Sequence, residues 1–214
     1  MGGRTASDKL RAIAGIKGQT QQRGIERRRR IVDAAVELFG RNGYRGTGVA
    51  AVAERAGITP SAVIHHFGSK DRLLQAVLDE FDARAAARLA HHLDGGLTGL
   101  VAALLDDADH MTRHPGLATL HTVLQAEHLA DGDSPVHIRF RERSRLLRRH
   151  IADTVGTAHR LGRLPAATDP EATAAELLAF LEGALTLWLL DPETVDLVAL
   201  YRGYLNRIFP PEAD

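Results

Sequence analysis

Val49-Ala50-Ala51-Val52-Ala53-Glu54-Arg55-Ala56-Gly57-Ile58-Thr59-Pro60-Ser61-Ala62-Val63-Ile64-His65-His66-Phe67 is the stretch that decides how this chain folds. Val49, Val52, Ala53 and Ala56 recur at the spacing of one face of a short helix. Gly57 closes it, because glycine admits the positive φ that turns a chain within a few residues. Thr59 then offers a hydroxyl as N-cap to a second short helix, and Pro60 fits that helix's first position, where a missing N–H costs nothing. Ala53 and Ala56 are small where the two helices approach, and Val52, Ile58 and Val63 can close a core beneath them. This is the composition of a helix-turn-helix. The pattern predicts that the second helix enters the major groove of double-stranded DNA while the first crosses the backbone. The side chains it would present, Thr59, Pro60, Ser61, Ala62, His65 and His66, are short or flat. None is an Arg, Asn or Gln able to make a bidentate base contact, so reading rests on apolar contacts, the two histidines, water and DNA shape.

Upstream, Ile31, Ala34, Ala35, Leu38 and Phe39 give residues 25–42 a helical apolar face, which Asn42-Gly43 terminates. Residues 1–24 read as a mobile basic arm with a short helix near 7–14. The arm either lies in the minor groove or has no role. Downstream, Ser69 caps a long helix over residues 70–92 with Leu73, Leu74, Val77, Leu78 and Phe81 inward. Gly95-Gly96, His114-Pro115-Gly116, residues 131–135, Leu164-Pro165 and Asp191-Pro192 then punctuate helical patterns at 97–112, 116–130, 135–161, 170–190 and 193–209. No run alternates at period two. The expectation is an all-α chain in which the fourth helix joins a small N-terminal domain to a larger helical one.

The formal charge of the 214 residues is zero, but it is unevenly spread: residues 1–70 carry 13 Lys or Arg against 5 Asp or Glu, and the remainder 14 against 22. A basic third on an acidic remainder points to a polyanion partner for the first part only. There is no cysteine, which excludes a disulfide framework and thiolate metal sites. No stretch is expected to span a membrane and no leader is recognised, so a soluble, cytoplasmic protein is expected.

The run Gly43-Tyr44-Arg45-Gly46-Thr47-Gly48-Val49, then Val52-Ala53-Glu54-Arg55-Ala56-Gly57-Ile58-Thr59, then Val63-Ile64-His65-His66-Phe67-Gly68-Ser69-Lys70-Asp71-Arg72-Leu73-Leu74, resembles the N-terminal domain of TetR-family transcriptional regulators. The helix before it, with Ala34-Ala35 and Leu38-Phe39, fits as well, so the likeness covers residues 27–74. After the basic arm at 1–24, which is longer than most family members carry, the resemblance implies a helix-turn-helix domain at 25–70 and a ligand-binding and dimerisation domain at 71–214. It implies a homodimeric repressor that a small molecule releases from a pseudo-palindromic operator by moving the fourth helix. It also places Lys70, Thr47 and Gly48 against DNA phosphates. Two positions depart from the family: Gly48 has no hydroxyl, and Ile64 stands where a tyrosine is usual. From the residues themselves, Lys70 gains from a phosphate contact beside the groove, with a solvated lysine as the alternative; for Thr47 the alternative is a helix N-cap, and for His65 and His66 plain surface groups. Of Arg27 to Arg30, at most two can face DNA together.

Nine of the eleven histidines follow residue 90. His114, His121 and His128 are spaced by seven, and Gln125 lies among them. His121, Gln125 and His128 are candidates to line a ligand pocket; a metal site is the weaker alternative, and neither metal nor cofactor is expected. The run of Arg139, Arg141, Arg143, Arg145, Arg148 and Arg149 reads as a solvated face or as partners for acids elsewhere. The last two helices carry apolar faces broader than one contact requires, and Leu177, Leu181, Leu185, Trp188, Leu197, Tyr201 and Tyr204 are assigned to a homodimer interface. Two other functions compete: a DNA-binding activator or architectural protein without an inducer, and a histidine-rich metal-dependent enzyme. No nucleophile elbow, phosphate loop or metal motif supports the enzyme.

Overall fold

The computed structural model describes residues 6–210, with side chains from Gln22 onward (Leu93 excepted); among them it contains nine α-helices and no strand. They are α1 (Ala6–Gly46), α2 (Val49–Ala56), α3 (Pro60–Phe67), α4 (Lys70–Ala90), α5 (Gly96–Arg113), α6 (Pro115–His128), α7 (Pro135–Arg160), α8 (Pro170–Leu190) and α9 (Leu197–Ile208). One 3-10 turn, Leu93–Gly95, leads into α5. The segment expected as a separate arm is helical from Ala6 and continues into the next helix without a break at residue 24. The expected stop at Asn42-Gly43 is real: Gly43 has φ 73° and ψ 164°, which kinks α1 near its end. The last helix starts at Leu197, later than its apolar pattern suggests, because Asp196 caps it through the Ala199 N–H at 2.9 Å.

Caps set the other boundaries as expected. Gly57 is left-handed at φ 68°, Thr59 Oγ1 accepts from the Ala62 N–H at 3.2 Å, and Ser69 Oγ accepts from the Arg72 N–H at 3.1 Å. Thr59 and Ser69 each satisfy a donor that a helix start leaves orphaned, and the Gly57 N–H serves carbonyls at the end of α2.

Two cores result. The first joins Ile31, Ala35 and Phe39 of α1 to Val52 and Ala53 of α2, Val63 of α3, and Leu73, Leu74 and Val77 of α4. It runs past residue 70 and also takes in Leu120 and Leu124 of α6 and Val136 of α7. The head is therefore clamped onto the body by α6. At Gly40, an added Cβ would sit 2.8 Å from the Gly116 carbonyl oxygen, so the close crossing of α1 and α6 requires the glycine. The second core packs Phe81, Leu100, Ile151, Val155, Leu177, Trp188, Leu197 and Leu205 among α4, α5, α7, α8 and α9.

Helix α8 corrects the expectation that no segment is apolar enough to cross a membrane: an 18-residue window within it has a mean hydropathy of 1.5. Only 33% of that window is buried within the protomer. The residues assigned to the dimer interface need correction too. Leu177, Leu181, Leu185, Trp188, Leu197 and Tyr201 are all buried in the protomer's own core, and Tyr204 is half-buried, stacked on Phe180 with ring centroids 3.8 Å apart. The bulky side chains of α8 turn inward, where they gain most contact area. The opposite face carries small residues, Ala172, Ala175, Ala179 and Gly183, with Glu176 and Thr186 exposed among them, and ends in Leu187 and Leu190.

Candidate DNA-reading head and effector cavity

On the reading helix α3, Thr59, Pro60, Ser61 and His65 are exposed, and Ala62 and His66 are half-buried. The Thr59 and Ser61 hydroxyls lie 3.0 Å apart, and the two histidine rings meet edge to face at 5.9 Å. His66 is held below its ordinary value, first by burial and then by His65, Arg27 and Arg28. The α1 arginines thus border the end of α3, and the Arg28 guanidinium lies 5.2 Å over the Phe67 ring. Ile64 is 42% exposed on the same helix, a large apolar group left for a partner.

Thr47 does not occupy the position expected of it. It is 1% exposed, and its hydroxyl points at the Gly43 and Leu38 carbonyls, at 2.9 and 3.0 Å. It satisfies acceptors left by the kinked end of α1, so neither a phosphate contact nor an N-cap for α2 falls to its side chain. The N-cap of α2 is Gly48, exposed and with no side chain to contribute. Lys70 opens α4 with its Nζ 4.2 Å over the Tyr44 ring.

Tyr44 is an organising residue that the sequence reading passes over. Its N–H donates to Glu127 of α6 at 3.0 Å, its hydroxyl donates to Asp71, and its ring packs edge-on to Phe39 at 5.4 Å. One residue, through its backbone N–H and its side chain, thereby ties together α1, the start of α4 and the end of α6. Nothing in its local spacing announces this, because its partners lie far away in sequence.

In the body, His121 and Gln125 meet on the wall of a cavity of about 280 Å³, beside Leu104, Met111, Phe140, Leu178, Leu185 and Tyr201. A second space of about 560 Å³, between α4, α5 and α7, shares Leu104, Asp107, Arg143 and Leu147 with it. His128 is not part of either space. It is buried a turn or two further along α6, where its Nδ1 meets the Leu124 carbonyl at 2.9 Å and its ring approaches Tyr44 at 6.2 Å. Its placement as a ligand contact is corrected: a helix turns 100° per residue, so a seven-residue spacing keeps a face but not a depth.

The cavity's charged groups come mostly from helices outside the expected set. Arg88 Nη2 bonds Asp107 at 2.8 Å, and Arg143 Nη1 bonds Asp82 at 3.0 Å. Arg139 binds Asp79 at 2.7 Å and Asp82 at 2.6 Å, so two members of the arginine run clamp α7 to α4. Glu182 of α8 meets His121 Nε2 at 3.3 Å. Burial works to raise the Glu182 carboxyl, but the His121 hydrogen bond and Arg143 outweigh it and hold it below its ordinary value. His110 and His114 pair ring to ring at 4.3 Å, away from His121. Among the described residues no three His, Asp or Glu converge as a metal site would require.

The family of sequences described as bacterial regulatory proteins, tetR family, matches residues 31–77, and the C-terminal domain of BetI-type transcriptional repressors matches residues 128–210. The regulator TtgR of Pseudomonas putida is 30% identical over 187 residues, covering 84% of this chain and 88% of TtgR. The chain belongs to the TetR family of transcriptional regulators. Two solved TetR-like folds superpose over most of its length. SmeT, the repressor of the Stenotrophomonas maltophilia efflux pump SmeDEF, has a TM-score of 0.70 at 22% identity, covering 85% of this chain and 87% of its own. AibR, solved with isovaleryl coenzyme A and operator DNA, has a TM-score of 0.70 at 19% identity, covering 86% of this chain and 99% of its own. The first of the two family matches covers most of the head described above, and the second falls within the helical body.

Proposed function

We propose that the protein is a repressor that binds a pseudo-palindromic operator as a homodimer in the cytoplasm and leaves it when a small molecule enters the body cavity. The observation that carries this reading is α6. It supplies His121 and Gln125 to the cavity, and Leu120, Leu124 and Glu127 to the head. A ligand that displaces α6 must displace the head with it. AibR, solved with both an acyl-coenzyme A and operator DNA, supports the pairing of an effector with an operator in this fold.

At the head, the DNA contacts are assigned to Thr59, Pro60, Ser61, Ala62, His65, His66 and Lys70, with the first-turn N–H groups of α2 at Gly48 taking a phosphate. The dimer face is assigned to the uncovered side of α8, where Ala172, Ala175, Ala179 and Gly183 permit close helix approach and Leu187 is 51% exposed. This accounts for the membrane-like apolarity of α8: one face is core and the other an interface.

Footprinting across the genome should return inverted repeats, one half-site for each head. Leu187→Glu should convert a sedimenting dimer to a folded monomer and weaken operator binding by about a hundredfold, the loss expected when two linked sites become one. A Leu187→Glu variant that remains dimeric would move the interface elsewhere.

A further inference from the structure

Lys70 opens α4, where the positive end of the helix dipole repels its charge. It is half-buried, and among the described residues it forms no ion pair. The carboxylate beside it in sequence, Asp71, is already taken, because it accepts the Tyr44 hydroxyl. Burial first, and then Asp71, holds that hydroxyl well above its ordinary range, so it remains a donor. The Lys70 ammonium lies 4.2 Å over the face of the same ring, which orients it without neutralising it. Tyr44 therefore does two things for Lys70. It fixes the ammonium, and it withdraws the adjacent acid.

Tyr44 is in turn held from α6. Gly43, at φ 73° and ψ 164°, turns the Tyr44 N–H off the axis of α1, and Glu127 Oε2 accepts it at 3.0 Å. Glu127 Oε1 lies 2.5 Å from where a Cβ on Gly43 would stand, so the carboxylate is seated directly against the kink. A carboxylate in the last turn of α6 faces the negative end of its own helix, an unfavourable place unless a donor is supplied. The kink supplies one. Phe39 fixes the Tyr44 ring from the core side, edge to face at 5.4 Å, and Glu127 fixes the backbone from the body side.

We infer that Glu127 is a positioning residue for operator binding: through the Tyr44 N–H it holds the ring that aims the Lys70 ammonium, charged and unpaired, at a DNA phosphate. This rests on the reading of Lys70 as a phosphate contact. The charge of Glu127 works against a polyanion, so its contribution lies in where it puts Tyr44. Charge and geometry then predict opposite outcomes. Removing the charge alone should strengthen binding; removing the acceptor should weaken it.

The test compares Lys70→Ala, Glu127→Ala and Glu127→Gln in the full-length chain, on a duplex carrying an inverted repeat recovered by footprinting. Lys70→Ala should reduce the slope of log affinity against log salt by about one ion for each head and weaken binding at least about fivefold. Glu127→Ala should do nearly the same, and the double variant should lose little more than either alone. Glu127→Gln, whose side-chain carbonyl still accepts the N–H, should keep the slope and bind at least as tightly as the unaltered protein.

A second readout needs no DNA. In the free protein the ε-methylene of Lys70 lies beside the face of the Tyr44 ring, so its proton resonances should be displaced upfield by the ring current. Glu127→Ala should lose that displacement and Glu127→Gln should keep it. A Glu127→Ala variant that keeps either the slope or the displacement, or a Glu127→Gln variant that loses either, would overturn the inference. A reduced slope in Lys70→Ala would still leave the phosphate reading of Lys70 standing. An unchanged slope in Lys70→Ala would overturn that reading, and the inference with it. If Glu127→Ala fails to fold, Glu127→Asp makes the same comparison. It keeps the charge but withdraws the acceptor by one methylene, and it should reduce the slope.

Discussion

The head and the body are filled to different degrees. In the head, Ile31, Ala35, Phe39, Val52, Ala53, Val63 and Leu73 are buried to 1% exposure or less, and even the Thr47 hydroxyl is occupied by two carbonyls. The body leaves about 280 Å³ open at His121 and about 560 Å³ beside it, with Arg88 Nε and His121 Nδ1 unpartnered in its interior. A part that must present two short helices to a stiff duplex gains from close packing; a part that must admit a ligand keeps unfilled volume and pays in stability. Helix α6 runs from one regime into the other and contributes residues to both.

The largest effect should come from emptying what is full. Phe39→Ala removes a ring wholly enclosed by the head core and should cost about 3–5 kcal/mol of folding stability, read as a fall in the urea midpoint at constant slope. Leu147→Ala, on the shared wall of the two cavities, should cost about 1 kcal/mol, because its side chain already faces open space. Equal losses at the two sites would mean that the body is as tightly filled as the head.

How far the residues announced these two regions follows the same division. The caps and turns of the head are local, so Gly57, Thr59, Pro60 and Ser69 could be read from their neighbours, and each sits where expected. Thr47 misled because its hydroxyl serves carbonyls freed by the kink at Gly43, a tertiary detail. In α8 the apolar composition was plain but its direction was not. A helix apolar on two faces does not say which one is core, and the larger side chains went inward, leaving Ala, Gly and Leu187 outside. Glu182, Asp107 and Arg143 converge on the cavity from three helices, a proximity that no periodicity carries.

A smaller effect should separate the two regions by pH. His66 is held below its ordinary 6.5 by burial and by His65, Arg27 and Arg28. A lowered imidazole means that the free protein binds fewer protons than its unfolded chain, so this contribution to stability is present above about pH 6.5 and declines as pH falls through the lowered value. A DNA phosphate reverses the local field and favours the charged ring, so operator binding should take up a proton. Affinity should then rise as pH falls from about 7.5 to about 5.5, by up to about tenfold for each head, and His66→Gln should flatten the profile. Glu182 is held below the ordinary carboxylate range and stays ionised across this interval, so the cavity carboxylate should not contribute to the profile. An operator profile that His66→Gln leaves unchanged would remove His66 from the phosphate contacts.

The smallest effect tests whether the head has any slack. Gly48 caps α2 at φ −88° and ψ 154°, an extended conformation open to any residue, and an added Cβ there would meet nothing within 4 Å. Serine can adopt that backbone without strain, accept a first-turn N–H and reduce the freedom of the unfolded chain. Gly48→Ser should therefore raise stability by about 0.5–1 kcal/mol, measured as an increase in the urea midpoint. The same hydroxyl would stand at the helix start assigned to a DNA phosphate, so operator affinity should increase a few-fold, with the salt dependence of binding unchanged because no charge is added. Stabilisation with weaker binding would show that phosphate does not dock at the start of α2. The head would then engage the backbone through Lys70 and α3 instead.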